Sequence, residues 1–161
     1  VASLALARID AALRDKVLAL RVHPAQLDYV GHIGDLLADA EHSRDCEPTA
    51  VLRDGAPIGF YRIDLHPRSV AGRDFDVPAL GLRGFFLDAQ WQGRGLARPV
   101  LAALLADLAA RHPWARLLVL TVNHSNHAAR RLYRHAGFVD GSEQYHGGRA
   151  GPQQLMLRSL P

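Results

Sequence analysis

One cysteine, one methionine and two tryptophans occur in 161 residues, and aromatic residues make up only 7%. The lone Cys46 excludes an internal disulfide framework and suits a reducing compartment, so a cytoplasmic location is expected. Its neighbours in EHSRDCEP are acids that raise a thiol pKa, which removes it as a nucleophile. No run approaches the roughly 18 uncharged apolar residues of a membrane helix. The opening VASLALARID meets Arg8 and Asp10 too soon for the apolar core of a signal peptide. The nine histidines include no H-x-x-x-H pair, and no metal is expected. Repeats, low-complexity tracts and Pro/Ser-rich linkers are also lacking, so residues 1–161 read as a single domain.

What is present is ordinary for a folded globular protein: 48% apolar and 22% charged residues. The net charge of +3 conceals an uneven spread. Residues 1–80 hold 9 Arg/Lys against 12 Asp/Glu, whereas residues 81–161 hold 10 against 4. An anionic ligand should therefore favour the second half. The arginines are scattered, with no run of three and no stacked aromatics nearby. A small anion is the expected partner, not nucleic acid.

Hydrophobic spacing and turn chemistry predict the layout. A short helix is expected over 3–14, a strand over 16–22 (KVLALRV) and a helix from Ala25 to about Ala40. A hairpin turning at Asp54-Gly55 follows, then a strand over 79–88 (ALGLRGFFLD). Next come a helix over 95–111 with Pro99 in its first turn and an apolar strand over 116–122. A helix capped by Ser125 or Asn126 ends at Ala136, and two strands close the chain. The order suggests an α/β (α+β) fold, a mixed sheet with helices on both sides.

Two stretches carry candidate chemistry. QWQGRGLAR (90–98) places Gly93 and Gly95 in a strand-to-helix turn, where unpaired backbone N–H groups gather at the positive end of the helix. Such a turn binds phosphate without lysine. Leu96-Ala97 stands where a P-loop needs Lys-Ser/Thr, and Arg98 where a dinucleotide fingerprint needs a small residue. A tight turn with no ligand would carry the same glycines. In VNHSNHAARRLYRHAGF (122–138), Asn126, Arg130 and Tyr133 share one helical stripe, and Ala129 beside them leaves room for a thin ligand. A plain amphipathic helix would look similar.

Together they make residues 80–138 resemble the core of the GNAT acyl-CoA N-acyltransferase superfamily. The resemblance rests on GLRGFFLD, on the Q-x-x-G-x-G of Gln90, Gly93 and Gly95, and on the N-x-x-A-x-x-L-Y-x-x-x-G-F of Asn126, Ala129, Leu132, Tyr133, Gly137 and Phe138. It implies a GNAT fold: a mixed, mostly antiparallel central sheet with a splayed parallel strand pair and helices on both faces. An acceptor-side half would span about 1–79, an acyl-CoA core about 80–138 and closing strands about 138–160. Acetyl-CoA is the implied co-substrate, its pyrophosphate on the N–H groups of Gln92, Gly93, Arg94, Gly95, Leu96 and Ala97. The pantetheine arm would lie beside the strand ending at Leu87 and meet Asn126. Arg130 or Arg94 would meet a phosphate, and Tyr133 would approach the thioester sulfur. An N–H near Phe86 or Leu87 could stabilise the oxyanion. The implied reaction is direct attack by an amine in a ternary complex, without a metal. A non-catalytic acyl-CoA sensor is the alternative, and a homodimer would follow family habit.

One departure stands out. Relatives often carry a glutamate on the strand before the phosphate turn, but 79–87 contains no carboxylate. Asp64, His66, Asp76 or an ordered water could serve as base, and His66 is preferred because its pKa lies closest to working pH. Asp28, His32, Asp35 and Asp39 form an acidic stripe that could draw a cationic amine or simply face solvent. His146 and Arg149 could stand at the pocket mouth.

Overall fold

The computed structural model describes residues 3–146 and 151–160, so Arg149 lies outside the described residues. Among them, seven strands form one sheet in the order β1-β2-β3-β4-β5-β7-β6. They are β1 (Leu4–Arg8), β2 (Cys46–Arg53), β3 (Ala56–Asp64), β4 (Ala79–Leu87), β5 (Leu117–Asn123), β6 (Val139–Tyr145) and β7 (Gln153–Ser159). Neighbours run antiparallel except β4 and β5, which are parallel. The expected hairpin forms between β2 and β3, turning at Asp54 and Gly55.

The N-terminal expectations need correction. In place of a helix over 3–14 the chain forms β1 and then α1 (Ala11–Leu18). LALAR has little local preference, and the edge of β2 supplies partners from Arg53 down to Thr49. Asp10 then starts α1, its carboxylate accepting from the Leu13 N–H at 2.8 Å. The strand expected over 16–22 does not form, because Lys16–Leu18 completes α1. The long helix expected from Ala25 is three short pieces: a 3-10 turn (Pro24–Gln26), α2 (Leu27–Val30) and α3 (Ile33–Glu41), with the break at Gly31 and His32.

Helices cover both faces. On one, α1 and α3 bury Val17 and Leu37 against Ala50, Phe60 and Phe86. On the other, α5 (Ala97–Arg111) and α6 (His127–His135) bury Leu101, Leu104 and Tyr133 against Tyr61, Leu80, Leu118 and Met156. A one-turn helix, α4 (Arg68–Ala71), packs beside β5 through Ala71 and Val119.

β4 and β5 pair through only three positions, Ala79–Leu117, Leu80–Leu118 and Gly81–Val119, and then part. A bulge in β4 follows the last pair. Phe60 opposes Phe86 and Arg62 opposes Arg83, so β4 carries one more residue than β3 across this interval. Gly84 supplies the left-handed conformation this needs, with φ of +65°. The extra residue also switches faces. Leu80, Leu82 and then Leu87 lie on the α5 side, whereas Phe86 turns to the other and sits 6.0 Å from Phe60, centroid to centroid.

Beyond the bulge β3 and β4 approach closely. A Cβ on Gly59 would lie 2.6 Å from the Phe86 carbonyl oxygen. Gly59→Ala is therefore expected to cost about 2 kcal/mol, a melting temperature lower by roughly 4–8 °C. An unchanged melting curve would refute the close approach.

Candidate active site

Two cavities meet in the gap between the parted strands. The larger, about 650 Å³, runs from the turn after β4 to α6 and is walled by Gln92, Gly93, Gly95, Leu96 and Ala97. The smaller, about 340 Å³, is walled by Arg62, Ser69, Arg83, Thr121 and Asn123. Tyr29, Val30, Phe85, Asn126, Ala129 and Tyr133 belong to both walls.

The turn at the head of the larger cavity is held from behind. The Asp88 N–H donates to Ile58 at 2.7 Å, and its carboxylate accepts from the N–H groups of Arg21 at 2.7 Å and Gln90 at 3.2 Å. Gly93 and Gly95 then take φ of +72° and +73°. Gly93, Arg94, Gly95 and Leu96 donate no backbone hydrogen bond among the described residues. Ala97 and Arg98 open α5, where N–H groups have no intrahelical partner, and Leu96 offers no side-chain cap. A Cβ added at Gly93 or Gly95 would meet nothing within 4 Å. A run of free donors thus faces open space at the positive end of a 15-residue helix.

The cations around that space differ from those expected. Arg98, Arg131 and His135 line the cavity. Arg94 instead lies over the Trp91 ring at 4.7 Å, as does Arg53. Arg130 turns back to donate to the His124 carbonyl at 3.1 Å. Neither Arg94 nor Arg130 lines either cavity.

At the junction, Asn126 caps α6, its side-chain oxygen accepting from the Ala129 N–H at 3.3 Å. Tyr133 is 9% exposed and packs its ring 5.4 Å from that of Phe138. Its hydroxyl makes no hydrogen bond among the described residues, and burial pushes its pKa well above the ordinary tyrosine value. The open edge of β4 supplies a backbone donor. Asp88 bonds across to β3, so by strand alternation Phe86 faces β3 as well and Leu87 faces the gap. The Leu87 carbonyl accepts from the Gln92 side chain at 2.8 Å on that open side, which agrees. Of the two expected N–H groups, only that of Leu87 faces the gap.

Candidate bases fare less well. The structure does not bring His66 to either cavity; its side chain is 69% exposed and lies 3.3 Å from Asp45. Asp64 is buried and accepts from Arg62 at 2.8 Å, Ser69 at 2.6 Å and Arg83 at 3.2 Å. Although burial alone would raise its pKa, these donors hold its carboxyl below the usual range, and it makes a poor base. Asp76 is exposed and lines neither cavity. The acidic stripe is broken with its helix: Asp28 reaches the smaller cavity and Asp39 pairs with Arg62. Cys46 is no nucleophile either, its thiol pushed up to about 12, chiefly by burial.

Sequence reasoning missed the roof. Gln26 and Gln92 exchange paired amide hydrogen bonds, both 2.9 Å, and Tyr29 shares a 2.8 Å hydrogen bond with Ser125. The segment around α2 is thereby fastened across the gap. Pro24 and Gly31, which bracket it, were the available signals.

Among known proteins, a family model described as acetyltransferase (GNAT) family matches residues 15–138. The chain is 31% identical over 125 residues to the uncharacterized N-acetyltransferase YbbJ of Bacillus subtilis, covering 76% of each. It is 29% identical over 148 residues to the spermine/spermidine N(1)-acetyltransferase of the same organism, covering 91% of this chain and 92% of that one. The Vibrio cholerae spermidine N-acetyltransferase, solved with CoA and spermine, superposes with a TM-score of 0.73 at 16% identity, covering 98% of this chain and 95% of that one.

Proposed function

The chain belongs to the GNAT acetyltransferase family, and from that premise we propose that it transfers the acetyl group of acetyl-CoA directly to an amine held in the smaller cavity. One observation carries the reading: two cavities of different chemistry meet at Tyr133, and the larger ends on a run of free N–H donors. The larger suits coenzyme A. Its pyrophosphate would take the donors of 93–98, with Arg98 and Arg131 beside them, and its thin arm would pass Ala129 and Asn126.

Each demand of the reaction finds a group. The amine lone pair forms the C–N bond at the thioester carbon, and the oxyanion that develops is met by the Leu87 N–H. As the C–S bond breaks, the sulfur carries negative charge towards Tyr133. At ordinary pKa values of about 10 and 8.5, full proton transfer from tyrosine to thiolate is uphill by about 2 kcal/mol. Burial widens that gap, so Tyr133 stabilises the thiolate by donating a hydrogen bond. An amine with pKa near 10.4 must first lose its proton, at roughly 4–5 kcal/mol at pH 7. Asp28 is the only carboxylate lining the smaller cavity among the described residues, and the proton leaves towards it through water. No acyl-carrying nucleophile is needed, and a cytoplasmic location fits the unpaired Cys46.

Thiol release from acetyl-CoA over a panel of primary amines tests this. Amine-dependent release well above hydrolysis is expected. Tight acetyl-CoA binding without release from any amine would leave the sensor reading in its place.

A further inference from the structure

The smaller cavity has three charged residues in its wall, Asp28, Arg62 and Arg83. Arg62 is buried and held by two carboxylates. Its side chain is 4% exposed, its Nε donates to Asp64 at 2.8 Å and its Nη1 pairs with Asp39. Asp64 is equally occupied by Arg62, Ser69 and Arg83. Arg83 differs. It donates once, through Nη1 to Asp64 at 3.2 Å, and its other N–H groups have no partner among the described residues. With its side chain 40% exposed, it is clamped at one corner and free at the rest. Its position follows from the bulge: Arg83 immediately precedes Gly84 and lies two residues from Phe85, where the cavities join.

Resting on the acetyltransferase reading, we propose that the acceptor is an amine that also carries a carboxylate, and that Arg83 selects it. An anchored guanidinium with free donors presents the fork that receives a carboxylate in two parallel bonds. A second ammonium in that place would sit beside two arginines with no free carboxylate between them. Asp28, on the same wall, is left for the reacting ammonium. The specificity is thus opposite to that named for the spermine/spermidine relative.

Matched acceptors decide it: 4-aminobutyrate against 1,4-diaminobutane, and 6-aminohexanoate against 1,6-diaminohexane, each followed by CoA release. The amino acid of each pair is expected to have at least a tenfold higher kcat/KM. Arg83→Gln should abolish the preference mainly by raising KM for the amino acid, and Arg83→Lys should retain part of it. Acetyl-CoA should still raise the melting temperature of both variants. Preference for the diamines, or turnover of neither class while acetyl-CoA still binds, overturns the proposal. Failure of acetyl-CoA to bind the unaltered protein would instead remove the acetyltransferase reading, and this inference with it.

Discussion

Tyr133→Phe should lower kcat by about 100-fold while changing the dissociation constant of acetyl-CoA by no more than about threefold. The ring stays packed against Phe138 in the variant, so the fold and the cavity wall persist. Only the hydroxyl is lost; it has no protein partner among the described residues, and Tyr133 lines both cavities. Its partner forms late, when the sulfur becomes a thiolate, so the loss falls on turnover and spares binding. The pH profile adds a check with a definite sign. Burial raises the Tyr133 pKa, so the donor form persists through neutral and mildly alkaline pH. Activity should rise with pH as the acceptor ammonium deprotonates, with no falling limb from Tyr133 below about pH 10. Thiol-release kinetics beside calorimetric titration would measure both quantities. A kcat within threefold of the unaltered enzyme would sink the role.

Saturating acetyl-CoA should stabilise the protein strongly, and Gly93→Asp should erase that gain. At 100 times its dissociation constant a ligand bound only to the native state adds about 2.7 kcal/mol, roughly 5–10 °C in melting temperature for a chain of this size. Gly93 has φ of +72° and open space before it, and aspartate tolerates that conformation better than most residues. The variant should therefore fold while setting a carboxylate against the pyrophosphate among the free donors. Thermal titration with acetyl-CoA, longer acyl-CoAs and free CoA, on both proteins, reads the result. No shift with any CoA in the unaltered protein would reduce the glycines to a turn.

The second half of the chain was the more legible. Gly93, Gly95, Pro99, Asn126 and Gly137 each mark a boundary by local chemistry; α6 begins and ends where Asn126 and Gly137 put it, whereas α5 starts at Ala97, two residues after the expected 95, because Gly95 at φ of +73° is not helical. In the first half, Asp10, Pro24 and Gly31 mark helix ends but nothing marks β1, which sheet pairing decided. The bulge gave no signal because one glycine in GLRGFF does not announce a change of face, yet it puts Leu87 instead of Phe86 on the face of Leu80 and Leu82. Arg130 shows another limit. Helical spacing sets the direction of its Cβ but not of a guanidinium four bonds further out, and a nearby carbonyl took it. Arg83 gave no signal in sequence, because its meaning depends on which of its neighbours are already engaged.

The fastened roof bears on how the two ligands affect one another. Its segment supplies Tyr29 and Val30 to both cavities and is tied through Gln26 to Gln92, beside the glycine turn that heads the larger one. Any displacement of it when one cavity fills reshapes the other. The two binding free energies are then linked, and reciprocity makes the effect the same in both directions: whatever factor the cofactor imposes on acceptor affinity, the acceptor imposes on cofactor affinity.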